Sequence, residues 1–252
     1  MRLPARPDFP LAIYWWPGAE IAPRGRIAIL SNFSALDLSA LPSLERGEVR
    51  AHRVPQLRAT HESLKGYGHL VAEFARDPVS IVTWPQPGWR PIVPGTGNEG
   101  GIVEDSFVME RRGQIQHARN QAVGRSYITG WFADPASASA ERPPSSTDRI
   151  YTHEANYHPD GGQVFSPRAG TPFVALLARP GDDVQPEDFI AFYCDGTFGI
   201  HIDPSVWHQP VFPLGARAEF DDKQGRVHAC VAVDFVSEFG CYLEVPLTPT
   251  PR

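Results

Sequence analysis

Phe173-Val174-Ala175-Leu176-Leu177-Ala178 is an unbroken apolar run, preceded by the turn-forming Arg168-Ala169-Gly170. Six residues is a strand length, too short for an ordinary globular helix. Two further runs behave alike: Phe189-Ile190-Ala191-Phe192-Tyr193 and Ala229-Cys230-Val231-Ala232-Val233-Asp234-Phe235. Between Ile150 and Tyr157 apolar and polar residues alternate, up to the turn Pro159-Asp160-Gly161-Gly162. The chain holds 22 glycines and 26 prolines, spread throughout, and such punctuation keeps every regular element short. Helical periodicity is scarce. The one helix expected lies at 60–67, opened by a Thr60 cap with Glu62 in its first turn. Short strands at regular spacing predict an all-β, mainly antiparallel sandwich or barrel with few short helices. Residues 134–147, rich in Ala, Ser and Pro, read as a mobile surface loop.

Composition excludes several function classes. Charged residues are 21% and hydrophobic ones 42% of the 252, which is globular usage. The formal net charge is −6 with no basic tract, so no nucleic-acid partner is expected. No run of 18 apolar residues occurs, so no membrane span is expected either. Arg2 and Arg6 near the start are followed by no continuous apolar stretch and are interrupted by prolines, unlike a secretory signal. Cys194, Cys230 and Cys241 are too few and scattered for a disulfide framework or zinc knuckle. A cytoplasmic location is the expectation.

From Thr152 onward the chain resembles the ureidoglycolate lyase family. The blocks are His153-Glu154 with His158-Pro159 and Gln163-Val164-Phe165-Ser166-Pro167, and Gly181-Asp182-Asp183 ahead of Phe189-Ile190-Ala191-Phe192. Gly199-Ile200-His201 and Val206-Trp207-His208-Gln209-Pro210-Val211-Phe212 follow in order. Fainter matches run through Val233-Asp234 and Cys241-Tyr242-Leu243-Glu244, and Leu64-Lys65-Gly66-Tyr67-Gly68 gives a weak echo upstream. Where the family tends to carry Asp-Arg, this chain has Asp234-Phe235. The resemblance implies a cupin-type β-barrel or jelly roll with its site in the mouth, and a homodimer. It also implies a small-molecule substrate, ureidoglycolate or a close relative, cleaved to glyoxylate and urea. It divides the chain into a cupin-like domain, 48–252, and an N-terminal extension, 1–47. The extension carries Trp15, Trp16 and the strand-like Ile27-Ala28-Ile29-Leu30, and is expected to pack on the barrel or at a dimer interface.

Such a cleavage asks for a base at the carbinol hydroxyl, an acid at the departing nitrogen, and a group to hold the carboxylate. Histidine suits the proton transfers, because its unperturbed pKa lies near neutrality. His208 is the first choice, followed by His158 and Glu154. Gln163 sits where cupins often place a metal-binding carboxylate; an amide there favours recognition of the ureido group. Arg168 offers a two-pronged match to a carboxylate, and His153, His201 and Trp207 complete the substrate-binding set. On a strand, Thr152, Glu154 and Asn156 face one side and His153, Ala155 and Tyr157 the other, so only one set lines a cavity. No cofactor is expected. The alternative is a divalent metal held by some of His153, His158, His201 and His208, which would make a metal-dependent isomerase or oxygenase. A third reading is a non-catalytic small-acid binder. The segment 84–101 has glycines but no following helix or Lys-Ser/Thr pair, so it reads as a loop at the mouth and not a phosphate cradle.

Overall fold

All six side chains of Phe173–Ala178 are buried, three on each side of the strand they form. That is why the run lacks the alternation of a half-wet strand. The structure is a computed structural model that describes residues 41–249 apart from 84, 86, 87, 94, 95 and 98. In chain order the strands begin with β1 (Arg50–Arg53), β2 (Gln56–Arg58), β3 (Gly68–Val71), β4 (Glu99–Arg112), β5 (Ile115–Asn120) and β6 (Arg125–Trp131). They continue as β7 (Arg149–Thr152), β8 (Glu154–Tyr157), β9 (Gln163–Pro167), β10 (Phe173–Ala178), β11 (Ile190–Cys194) and β12 (Gly199–Ile202). The last are β13 (Trp207–His208), β14 (Phe212–Pro213), β15 (Arg217–Val227), β16 (Val231–Asp234) and β17 (Cys241–Pro246). One short α-helix, α1 (Phe235–Phe239), is capped by Asp234 and ends at Gly240 in the left-handed conformation.

Two sheets result. One has ten strands in the order β1-β17-β7-β6-β5-β4-β15-β9-β12-β3; the other runs β16-β8-β13-β10-β11-β2, with β14 also paired to β10. Among the described strands only β1–β17 and β2–β11 pair in parallel. This is the mainly antiparallel all-β fold that the short strands predict, and it is consistent with the cupin type that the resemblance implies. Phe173, Ala175 and Leu177 of β10 meet Phe165, Phe220, Phe107 and Ile202 of the ten-stranded sheet in the core between the sheets. Val174, Leu176 and Ala178 point the other way, into a second core with Ile150 of β7 and Leu243 and Val245 of β17. The smaller sheet is therefore covered on both sides by parts of the larger one. Each fully buried Phe or Leu here contributes about 1.5–3 kcal/mol.

Three local expectations change. Residues 60–67 form successive turns and no α-helix: Thr60 does cap the Ser63 N–H at 3.0 Å, but Gly66 and Gly68 have positive φ and stop propagation. Residues 134–147 are not wholly a surface loop. Asp134 is buried, accepts from the Ser43 hydroxyl and the Leu44 and Glu45 N–H groups, and caps a 3-10 turn, Pro135–Ser137. Of the extension, 41–47 is fastened by those bonds and by the Tyr242 hydroxyl donating to Pro42 O at 3.0 Å. Trp15, Trp16 and 27–30 lie outside the described residues. No described helix is long and apolar enough to cross a membrane.

Candidate functional site

Strand parity builds the site. On β8, Ala155 and Tyr157 enter the outer core, which turns Glu154, Asn156 and the following His158 toward the space between the sheets. On β13, Trp207 takes the outer core and His208 the inner side, opposite Asn156 in register. His158 then packs edge-on to His208, with ring centroids 5.0 Å apart, and stacks on His228 at 4.1 Å.

The three imidazoles carry defined protons. His158 Nδ1 lies 2.9 Å from the Ala229 carbonyl oxygen, and His208 Nδ1 lies 2.8 Å from that of Val206. A carbonyl only accepts, so Nδ1 holds the hydrogen in both rings and Nε2 presents its lone pair. Neither Nε2 has a partner among the described residues. His228 is different, because Nδ1 donates to Asp160 at 2.9 Å and Nε2 accepts from the Gly225 N–H at 3.0 Å, so both its nitrogens are used. Burial drives the His208 pKa down to about 4; the Val206 carbonyl opposes this and His228 adds to it. Burial, with His228 and His208 beside it, lowers His158 well below the usual value. Two neutral imidazoles with open lone pairs thus stand side by side.

A second inner-face cluster gathers amides around one carboxyl group. Gln163 Nε2 donates to Asp222 Oδ1 and Gln224 Oε1, both at 2.7 Å. Asn120 Nδ2 reaches Asp222 Oδ2 at 3.2 Å and Gln224 Oε1 at 3.0 Å. Burial raises the Asp222 pKa to about 7, against the pull of the two amides. Tyr127 and Cys230 are both partly buried, Tyr127 against the inner core. Arg125, Asp222 and Glu154 all contribute to the field at Tyr127. Arg125 shares a face of β6 with Tyr127 by alternation. The Asn156 Oδ1 is buried with no partner, which is costly for a site never filled.

Of the expected residues, the structure packs His158 against His208, gathers Gln163 into the amide cluster around Asp222, and sets the Glu154 carboxylate 3.7 Å from His153 Nε2. Four others stand elsewhere. His153, in the break between β7 and β8, packs on Trp131 with centroids 5.4 Å apart, its Nε2 3.7 Å from Glu154 Oε2. Trp207 is fully buried in the outer core and donates from Nε1 to the Gly181 carbonyl at 2.8 Å. His201 lies between Ile200 and Ile202, which face the inner core, so its ring is on the outer side of the ten-stranded sheet. Arg168 is exposed and engaged by Asp221 and Glu219 across β15. The sequence reading missed His228, Asp160, Asp222, Asn120, Tyr127 and Arg125. Pairing of β9 with β15 brings Asp222 to Gln163, and no local pattern announces that. Parts of 84–101 dock beside the cluster: Val93 N–H donates to Cys230 O at 2.7 Å and Gly97 N–H to Val227 O at 3.1 Å.

Comparison with known proteins agrees in one direction. The profile of the ureidoglycolate lyase family matches residues 110–237, which include every residue of the inner cluster. The ureidoglycolate lyase of Azotobacter vinelandii is 41% identical over 63 residues, 25% of this chain and 38% of that protein. That of Pseudomonas savastanoi pv. phaseolicola is 36% identical over 75 residues, 29% of this chain and 44% of its own length. For Agrobacterium fabrum the figures are 34% over 84 residues, 31% and 49%. The chain thus spans less than half the length of these curated relatives.

Proposed function

The chain belongs to the ureidoglycolate lyase family, and from that membership we propose that it splits ureidoglycolate, or a closely related ureido acid, into glyoxylate and urea. In this reaction the carbinol O–H loses its proton as the C–N bond breaks, and the bonding pair goes to the ureido nitrogen. That nitrogen must then gain a proton. One base can make both transfers, taking the proton from oxygen and returning it to nitrogen, so no net proton enters or leaves. A neutral imidazole with one lone pair facing the substrate is suited to this shuttle. His208 is assigned the shuttle, and His158 beside it holds the hydroxyl or the departing nitrogen. The observation that carries the reading is the pair of imidazoles tethered at Nδ1 by main-chain carbonyls and open at Nε2.

Other side chains of the inner face are proposed as binding groups. Arg125, with the Tyr127 hydroxyl, is proposed to take the substrate carboxylate. Glu154 and the Gln163 Oε1, acceptors both, suit the ureido N–H groups. The reaction so drawn needs no cofactor. The two open lone pairs are also what a transition metal would use, so loss of activity on chelation and its return with Fe²⁺, Ni²⁺ or Zn²⁺ would favour a metal-dependent isomerase or oxygenase. The proposal includes a homodimer, testable by light scattering; a monomer would remove that part.

Incubation with racemic ureidoglycolate tests the activity directly. Glyoxylate and urea are expected in equal amounts, with ammonia only after urease is added. Ammonia released alongside glyoxylate without urease would mean hydrolysis of the ureido group instead. Binding without turnover would make the protein a small-acid binder.

A further inference from the structure

A second polar cluster lies on the opposite face of the ten-stranded sheet from the imidazole pair. His69 on β3 and His201 on β12 are direct register partners, and their rings stack with centroids 4.6 Å apart. Asp77, just beyond the 3-10 turn Phe74–Arg76, bridges one nitrogen of each ring. His69 Nε2 is 2.8 Å from Asp77 Oδ2, and His201 Nδ1 is 2.5 Å from Asp77 Oδ1. We propose that His69, Asp77 and His201 form a binding site for one divalent transition-metal ion.

The donor set decides the class of ion. Two imidazole nitrogens and a carboxylate oxygen suit Zn²⁺, Ni²⁺, Co²⁺ or Fe²⁺, whereas Mg²⁺ and Ca²⁺ want oxygen ligands. All three ligand atoms lie within 4.8 Å of one another, so small side-chain movements bring each to the bond length of about 2.0–2.2 Å that such ions need. The His201 and Asp77 side chains are only 9% and 12% exposed, and that of His69 is 47% exposed. A bound ion would therefore be seated on two buried ligands and open toward solvent on the His69 side, leaving room for water.

The surroundings hold these ligands in place. Lys223 Nζ donates to the Phe74 and Asp77 carbonyls, both at 2.9 Å, and fixes the turn that carries the carboxylate. Its remaining charge is met by Glu104 at 3.2 Å. A Cβ on Gly162 would lie 2.4 Å from His201 Nε2, so glycine is what lets the ring lie there. Gly68 allows β3 to approach His201, since a Cβ there would sit 1.8 Å from the His201 carbonyl oxygen. The same connecting segment goes on to Ile81, which lies against Gly161 and Gly225, the neighbours of His228. An ion at this site would pin that segment beside the inner cluster without touching substrate. His69 and Asp77 also fall outside the stretch matched by the family profile.

Co²⁺ and Zn²⁺ titrations of the full chain test the site, read by visible absorption and calorimetry. The expected result is one ion per chain, at least about tenfold weaker in His69→Ala and in Asp77→Asn, since even groups that only support ligands cost that much. His208→Asn should bind the ion as the parent does. Zn²⁺ should raise the melting temperature of the parent and not of His69→Ala, whose exposed position spares the fold. The proposal fails if no ion is taken up, if uptake survives both outer-site variants, or if His208→Asn abolishes it. Should Asp77→Asn not fold, His69→Ala alone decides. None of these readouts depends on turnover, so the site stands or falls apart from the proposed lyase activity.

Discussion

Asp221 and Asp222 are neighbours on β15, yet the two faces of the sheet treat their carboxylates in different ways. Asp221, on the outer face, is met by the Arg168 guanidinium at 2.7 Å. Asp222, on the inner face, is fully buried and meets only the neutral amides of Gln163 and Asn120. The outer Asp77 continues the pattern: burial pushes its carboxyl up, but His201 and His69 together hold it below the usual range. At Asp221 and Asp77, charge is met by a cation or an imidazole. At Asp222 it is met by dipoles, and burial keeps Asp222 near 7 and His208 near 4, while Asp160 close by is paired with His228.

The largest break in this contrast comes from removing an inner lone pair. His208→Asn keeps a side chain able to donate to the Val206 carbonyl but offers no base in place of Nε2. Turnover of ureidoglycolate is expected to fall by about 10²–10⁴-fold, the usual size of general acid–base catalysis, with the melting temperature little changed. A folded variant at full activity would take His208 out of the reaction.

Gln163→Glu tests the dipole rule itself. It removes the N–H groups that now reach Asp222 and Gln224 and sets a second carboxyl against Asp222. The Asp222 carboxyl already holds its proton more tightly in the folded chain, up to about 7 against 3.8. Its contribution to stability is thus present below 3.8 and lost as pH rises through about 7. A second buried carboxyl pushes that loss to higher pH still. Urea unfolding should find the variant about 2–4 kcal/mol less stable than the parent at pH 8, with the gap narrowing at pH 5 as the pair shares a proton. An equal deficit at both values would mean that the two carboxyls do not interact.

How much of this is legible in sequence follows from which interactions are local. The run 173–178 announces a doubly buried strand by composition alone, and the parity of Glu154, Asn156 and His158 follows from their spacing. The outward aim of His201 was readable the same way, since its two isoleucine neighbours must take the core. His228 was not readable, because its place beside His158 depends on strand pairing across some seventy residues and on the register shift between Gly225 and Val227. Asp222 was hidden for a like reason: its sequence neighbours Asp221 and Lys223 make it look like one more surface charge. The helix expected at 60–67 failed because a good cap cannot propagate a helix through Gly66 and Gly68 in conformations it does not use.

The smallest effect should come from Arg168, the arginine that local sequence suggested for the substrate carboxylate. Its side chain is 47% exposed and is engaged by Glu219 and Asp221, themselves 35% and 37% exposed. Ion pairs in such a setting are weakened by water and salt, and each is worth about 0–1 kcal/mol. The residue before it, Pro167, lies opposite Phe220 in register, and the turn after it leads away from the space between the sheets. A carboxylate would also have to displace two acids already bound to the guanidinium. Arg168→Ala should therefore leave KM and kcat within about twofold and lower stability by at most about 1 kcal/mol, the loss shrinking in high salt. A tenfold rise in KM would overturn this, and would mean that the outer face of the sheet takes part in holding the substrate.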